Sequence, residues 1–89
     1  MRKYYKRILQ DFLAEQIRRF RAENGYTQEQ MAEYLRISPR SYIDLEHNRY
    51  GCSATTFVFF LLMLDIEAVI RLVNDFREQL ERADQHDVA

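Results

Sequence analysis

Thr27-Gln28-Glu29-Gln30-Met31-Ala32-Glu33-Tyr34-Leu35-Arg36-Ile37-Ser38-Pro39 is the stretch from which the rest of the chain can be read. Thr27 and Gln30 form a T-x-x-Q capping box, in which the hydroxyl accepts from the Gln30 N–H while the amide reaches back to the Thr27 N–H. Tyr26 and Met31 stand at the two positions of a hydrophobic staple across that cap. A helix therefore begins after Thr27 and buries Met31, Ala32 and Leu35, with the small Ala32 admitting another helix at close range. Only two or three residues past its end, Ser38 can cap a further helix whose first residue is Pro39, where the missing N–H does no harm. Two helices joined by so short a turn cross steeply, which defines a helix-turn-helix.

Upstream, Ile8, Leu9, Phe12, Leu13, Ile17 and Phe20 keep one helical face apolar, and Gly25 after Asn24 supplies a left-handed stop. The start of this first helix is open: it lies near Tyr4, or near Asp11 with residues 1–10 as a separate arm or short helix. Downstream, Ser53 can cap a fourth helix over residues 54–65. Its residues Phe57 to Leu64 cannot share one face, so it needs cover on all sides, part of which another subunit could supply. A last helix over about 66–82 sets Ile66, Val69, Val73, Phe76 and Leu80 at heptad-like spacing. Its outer face carries the i,i+4 pairs Glu67 with Arg71 and Glu78 with Arg82. Asp84 to Ala89 read as a frayed tail. The expectation is an all-α fold of about five helices in a single domain over residues 1–89, with a core at about 13–65 and the helix-turn-helix at 27–48.

Composition bounds the alternatives. Eighty-nine residues with 47% hydrophobic and 30% charged side chains, two Gly and one Pro suit an ordered helical domain and exclude collagen-like or disordered classes. The apolar run at Phe57 to Leu64 falls far short of the roughly 18 to 20 residues that a membrane span needs. One cysteine, Cys52, cannot make an internal disulfide and reads as a small packing residue, and no secretory leader is recognisable, so the cytoplasm is the expected compartment. His47 and His86 have no partners at ligand spacing, so no metal or cofactor is expected. Without a phosphate-cradling glycine loop or a recognisable nucleophile set, an enzyme is not expected either. The net charge of -1 divides into about +3 over residues 1–50 and about -4 over 51–89. Such a split can place polyanion binding at one end of the molecule, although a mixed surface can also produce it.

On a helical wheel of the third helix, Tyr42, Leu45 and Glu46 cluster on one side and Arg40, Ile43, Asp44 and His47 on the other. The first side packs inward, and the second is what the helix offers to a partner; a helix so presented fits the major groove of B-DNA.

Residues Thr27 to Ser38, followed by Tyr42, Leu45, Glu46 and Asn48, resemble the helix-turn-helix of the Cro/phage-repressor type, the xenobiotic-response-element family with its lambda-repressor-like fold. The likeness starts near Leu13, takes in Ile17-Arg18-Arg19-Phe20-Arg21 and runs to about Asp65. It implies that Gln28 holds a backbone phosphate, that Pro39, Arg40 and Ser41 open the recognition helix, and that Ile43, Asp44 and His47 face the groove. It also implies an interior ion pair of Arg21 with Glu46, structural in role. The sequence departs from the pattern in four places. Arg36 and Asn48 stand where Gly is usual. Pro39 replaces a base-reading polar side chain. Asp44 sets a negative charge toward phosphates, where it can accept from a cytosine amino group, hold Arg40 at i,i+4, or mark a face that has given up DNA.

The reading that results is a sequence-specific double-stranded DNA-binding regulator of transcription, a repressor acting as a homodimer on a palindromic site with recognition helices roughly 34 Å apart. Arg40, Ser41, Ile43 and His47 would face bases, Gln28 and Arg49 would position phosphates, and Asp44 would tune selectivity. Val58, Phe59, Leu62, Ile66, Val69, Val73, Phe76 and Leu80 would form the dimer interface. Arg2, Lys3, Lys6 and Arg7, interleaved with Tyr4 and Tyr5, suit either a basic arm beside the DNA or a solvated face of a longer first helix. The competing reading is a protein-interaction module, such as an antitoxin or accessory subunit, with DNA contact weak or lost; Asp44, Pro39 and the apolar fourth helix favour it.

Overall fold

A computed structural model describes residues 2–88, with side chains over residues 4–85. It contains α1 (Arg2–Asn24), α2 (Gln28–Leu35), α3 (Pro39–Glu46), α4 (Ala54–Leu62) and α5 (Ile66–Val88), with no strand among the described residues. The fold is all-α. The long helices α1 and α5 run antiparallel: the Tyr5 hydroxyl donates to Asp84, and the Phe12 ring meets Phe76 edge-on at 5.0 Å. Against them sit the short helices, with α2 on α3 and α4, and α3 on α1.

The starts of the short helices follow from single side chains. Thr27 Oγ1 accepts from the Gln30 N–H at 3.0 Å and Gln30 Oε1 accepts from the Thr27 N–H at 2.9 Å, closing the capping box. Ser38 and Ser53 do the same singly for Ser41 and Thr56, at 3.0 and 3.1 Å. The stops of α1, α2 and α3 share one device. Gly25, Arg36 and Asn48 are left-handed, with φ of 68°, 59° and 58°. Past each of them the chain turns back to hydrogen-bond the last helical turn: Tyr26 to the Arg21 carbonyl at 3.0 Å, Ile37 to Ala32 at 3.0 Å and Arg49 to Asp44 at 2.9 Å. Arginine at such a position costs roughly 1 kcal/mol. Its guanidinium lies over the Phe59 ring, 4.2 Å from the centroid, a contact that returns part of that cost.

The core joins all five helices: Ile17 from α1, Met31, Ala32 and Leu35 from α2, Tyr42 and Leu45 from α3, Phe60 from α4 and Leu72 from α5. At Gly51 the loop after α3 lies against the Gln10 side chain of α1.

One boundary that the sequence left open is decided, and two others differ from the sequence reading. Residues 2–10 continue α1 and form no separate arm, and Asp11 lies inside the helix, where it pairs with Arg7 at 3.4 Å and accepts from Asn48. The fourth helix ends at Leu62 instead of 65, because Asp65 turns its carboxylate to the Ala68 N–H at 2.7 Å and starts α5. That helix runs to Val88, well past residue 82, so Asp84 belongs to an ordered helix tied to Tyr5. Ala89 and the side chains of Arg2, Lys3 and His86 lie outside the described residues. Among those described, no helix is long and apolar enough to cross a membrane.

Candidate nucleic-acid interface

Helix α3 is anchored from within by Glu46. Its side chain is 5% exposed and accepts from Arg21 Nε at 2.7 Å, Arg21 Nη2 at 3.0 Å, the Tyr42 hydroxyl at 2.6 Å and Gln28 Nε2 at 3.0 Å. Burial pushes the Glu46 pKa up, but the donors from Arg21, Tyr42 and Gln28 outweigh it and hold the carboxyl below its ordinary range. The Tyr42 hydroxyl is shifted the other way, raised by burial and then by its bond to the carboxylate. Glu46 thereby ties α1, α2 and α3 together, and no buried side-chain polar atom among the described residues lacks a partner. Arg18 adds a bond from α1 to the Glu46 carbonyl at 3.2 Å, placing a cation at the negative end of α3.

On the outer side of α3, Arg40, His47 and Arg49 are exposed, whereas Ile43 and Asp44 are half-buried. Asp44 takes one arginine on each oxygen: Arg49 Nη1 at 2.7 Å from Oδ1 and Arg40 Nε at 3.6 Å from Oδ2. His47 Nδ1 lies 2.9 Å from the Ile43 carbonyl, which can only accept, so Nδ1 carries the proton and Nε2 is left for an outside partner. Pro39 is exposed at the first turn. The Ser41 hydroxyl turns back to accept from Ser38 Oγ at 2.9 Å, and its carbonyl accepts from the Tyr50 hydroxyl at 2.6 Å, which ties the segment after α3 to the start of that helix.

These positions qualify the sequence expectations. Arg40, Ile43, Asp44, His47 and Arg49 lie on and just beyond the outer side of one helix. Gln28 directs one amide N–H inward to Glu46, a bond that no helical wheel of α3 could reveal. At the same helix start the backbone N–H groups of Gln28 and Glu29 can also meet an anion. The bonds from Tyr50 and Asn48 were not foreseen either, since both residues sit in the loop, where spacing carries no directional signal.

The residues expected at a dimer interface separate into two groups. Leu62 and Ile66 are 74% and 75% exposed, and Val58 and Val73 about half exposed. Phe59, Val69, Phe76 and Leu80 are partly covered within the protomer: Phe59 by Arg36, Phe76 by Phe12 and by Phe57 at 6.2 Å. Ile70, absent from the sequence list, is 55% exposed and completes the row Ile66, Ile70, Val73. Beside that row, Leu9, Leu13, Phe57, Val73, Phe76 and Leu80 line an open apolar groove of about 640 Å³.

Cys52 is half-buried at the edge of this groove, and burial pushes its thiol up to about 11, so it stays protonated near neutrality. Among the described residues, no group of three His, Cys, Asp or Glu side chains could hold a metal ion.

A family model described as a helix-turn-helix domain matches residues 14–76. No curated protein and no solved structure matches the chain significantly. The family match spans α2, the left-handed turn at Arg36, α3 and the Arg21 to Glu46 anchor, and on it the chain belongs to the helix-turn-helix domains of the Cro/phage-repressor type.

Proposed function

We propose that the protein binds double-stranded DNA sequence-specifically and regulates transcription, as a repressor that acts as a homodimer on a palindromic site. The observation that carries this reading is the two-sidedness of α3. Its inner side is locked to α1 and α2 through Glu46, and its outer side presents Arg40, Ile43, Asp44 and His47 with Arg49 just beyond its end. A rigidly seated helix with exchangeable polar side chains outward is what major-groove reading requires. The free Nε2 of His47 suits a base edge, Ile43 suits a thymine methyl, and Arg40 suits a base edge or the phosphate beside it. Arg49 suits a phosphate at the end of the helix. The reading needs no cofactor, metal or catalytic group, and it places the protein in the cytoplasm with its DNA.

The dimer rests on the exposed row of Val58 and Leu62 on α4 with Ile66, Ile70 and Val73 on α5. Monomeric proteins seldom leave contiguous apolar patches beyond a few hundred Å² open to water. A two-fold pairing through this face would carry two copies of α3, and a palindrome with two half-sites suits such a pair.

The Arg40–Asp44–Arg49 cluster favours a second reading, because it cancels part of the positive charge that a DNA-binding face needs. In that reading the fold serves as a protein-interaction module. Selection of sites from a random duplex library, followed by affinity measurements at two salt concentrations, decides between the two. Enrichment of a palindrome with salt-sensitive affinity supports the regulator, and weak binding indifferent to sequence refutes it for this chain.

A further inference from the structure

Of the two carboxylates of α3, Glu46 is turned inward at 5% exposed while Asp44, at 21%, is covered by arginines that water or a ligand can displace. Arg40 reaches it from the preceding turn. Arg49 reaches it from beyond the helix, and its backbone is itself fastened there by the Arg49 N–H to Asp44 carbonyl bond at 2.9 Å that follows left-handed Asn48. The clamp is thus built by the helix end, and it occupies the two arginines best placed to grip a DNA backbone. To an approaching duplex, Asp44 already stands where a phosphate would bind them.

We propose, resting on the DNA-binding reading above, that Asp44 is a specificity-determining residue that withholds Arg40 and Arg49 from the DNA backbone until its carboxylate finds a cytosine amino group. In the major groove guanine and thymine show only acceptors at their polar edge atoms. Adenine sets its amino group beside the acceptor N7, which repels a carboxylate, whereas cytosine N4 is a donor with no acceptor beside it. Over cytosine the carboxylate gains a partner and both guanidinium groups pass to phosphates. Over any other base the carboxylate has no partner except the arginines, which stay on it, and the protein holds the duplex weakly. Base reading and backbone grip are then one event, and discrimination exceeds what a single base contact supplies.

The test compares the full chain with Asp44→Ala, Asp44→Asn and Arg49→Gln, each first checked for the wild-type circular dichroism spectrum and melting curve. Binding to a mixed-sequence duplex is followed by fluorescence anisotropy over a range of salt. Asp44→Ala is expected to bind this duplex more tightly, by roughly eightfold at about 0.1 M salt for each arginine released, with the log–log salt slope steeper by about 0.9 per arginine. Arg49→Gln is expected to change little on the same duplex in the wild-type background and to cost roughly eightfold in the Asp44→Ala background. In site selection the wild type should require cytosine at one position of each half-site, other bases there costing more than the roughly 5- to 150-fold of a single base contact, and Asp44→Asn should move that preference to adenine, which an amide pairs bidentately. Unchanged affinity and slope in Asp44→Ala, or a cytosine preference that survives in Asp44→Asn, overturns the clamp while leaving the DNA reading intact. Absence of duplex binding by every variant at every salt concentration refutes the DNA reading and the clamp with it.

Discussion

Replacing Arg21 with methionine tests whether Glu46 is the anchor of the recognition helix. The methionine chain fills most of the space of the arginine stem, so the loss is one of charge and hydrogen bonds more than of volume. Glu46 would lose two of its four donors, those at 2.7 and 3.0 Å, while its 5% exposure leaves little room for water to replace them. Breaking a buried ion pair from one side costs roughly 3 to 5 kcal/mol. Tyr42 and Gln28 still donate, at 2.6 and 3.0 Å, which puts the expected loss at the lower end, about 3 kcal/mol. A domain of this length holds only about 4 to 13 kcal/mol in total. Its melting temperature should fall by roughly 12 to 24 °C. Urea unfolding followed by far-UV circular dichroism at fixed protein concentration measures the loss at pH 7 and again near pH 4. Wild-type Glu46 has a pKa held below its ordinary value, so its stabilisation is present above that value and is lost as pH falls through the depressed one. In Arg21→Met the unpaired buried carboxyl takes up a proton earlier, so acid relieves the variant while it weakens the wild type, and the two curves converge. Adding Glu46→Gln to Arg21→Met removes the stranded charge and should make the double variant more stable than the sum of the single losses. A loss under about 1 kcal/mol at pH 7, or additive single losses, refutes the anchor.

Alkaline titration should reveal the opposite limb. Tyr42 and Cys52 are both raised above their ordinary values, chiefly by burial, so each stabilises below its unfolded pKa and that contribution disappears as pH climbs toward the folded one. Stability should decline from about pH 9 upward, and Tyr42→Phe with Cys52→Ala should flatten that decline in denaturant titrations, an unchanged slope counting against the assignment. Arg36→Gly should move stability by less than about 0.5 kcal/mol, because relief of the left-handed strain is offset by loss of the Phe59 contact, whereas in a Phe59→Leu background the same change should gain about 1 kcal/mol. Leu62→Glu and Ile66→Glu should leave the fold intact, since both side chains are about three-quarters exposed, and should yield monomers in sedimentation equilibrium under conditions where the parent is dimeric. A monomeric parent at micromolar concentration refutes the dimer through this face. Arg40→Glu should abolish enrichment of any DNA sequence, and a variant that selects the parent's site refutes base contact by this helix.

What could be read from the sequence, and what could not, divides by the range of the interaction. Caps are local, so Thr27 with Gln30, Ser38 and Ser53 placed the starts of the short helices, and Gly25 the end of α1, without any knowledge of packing, whereas the left-handed turns at Arg36 and Asn48 were implied only by the resemblance. The start of α1 was ambiguous because an Asp at position 11 is equally suited to a cap and to an i,i+4 partner of Arg7, and only the neighbouring Asn48 decides. The end of α5 was set too early because charged residues after 82 carry no apolar period, although Tyr5, distant in sequence, holds Asp84. The heptad-like seam of α5 ran through Val69 and Phe76, which pack inside the protomer, because periodicity identifies an apolar stripe without saying which edge of it the remaining helices cover. The open edge keeps Ile66 and Val73 of that seam and adds Ile70. For the interface, the wheel sorted α3 into two sides, whereas the phosphate role of Gln28 came from the resemblance, which carries no sign of the bond that Gln28 also sends to Glu46.

Two arginine–carboxylate groupings of like chemistry therefore sit on opposite sides of one eight-residue helix, and burial decides what each can do. Arg21 and Glu46 are 24% and 5% exposed and share Tyr42 and Gln28 as further partners, so no phosphate can reach the pair to compete for the arginine. That grouping fixes position. Arg40 and Arg49 are 82% and 57% exposed around Asp44, and neither has a second protein partner that would be lost on exchange among the bonds of the described residues. Exposed pairs of this kind are worth about 1 kcal/mol or less, so a phosphate or base edge can displace them at small cost. A recognition helix needs both properties at once: a seat that does not move when ligand arrives, and a surface whose charges change partners when it does.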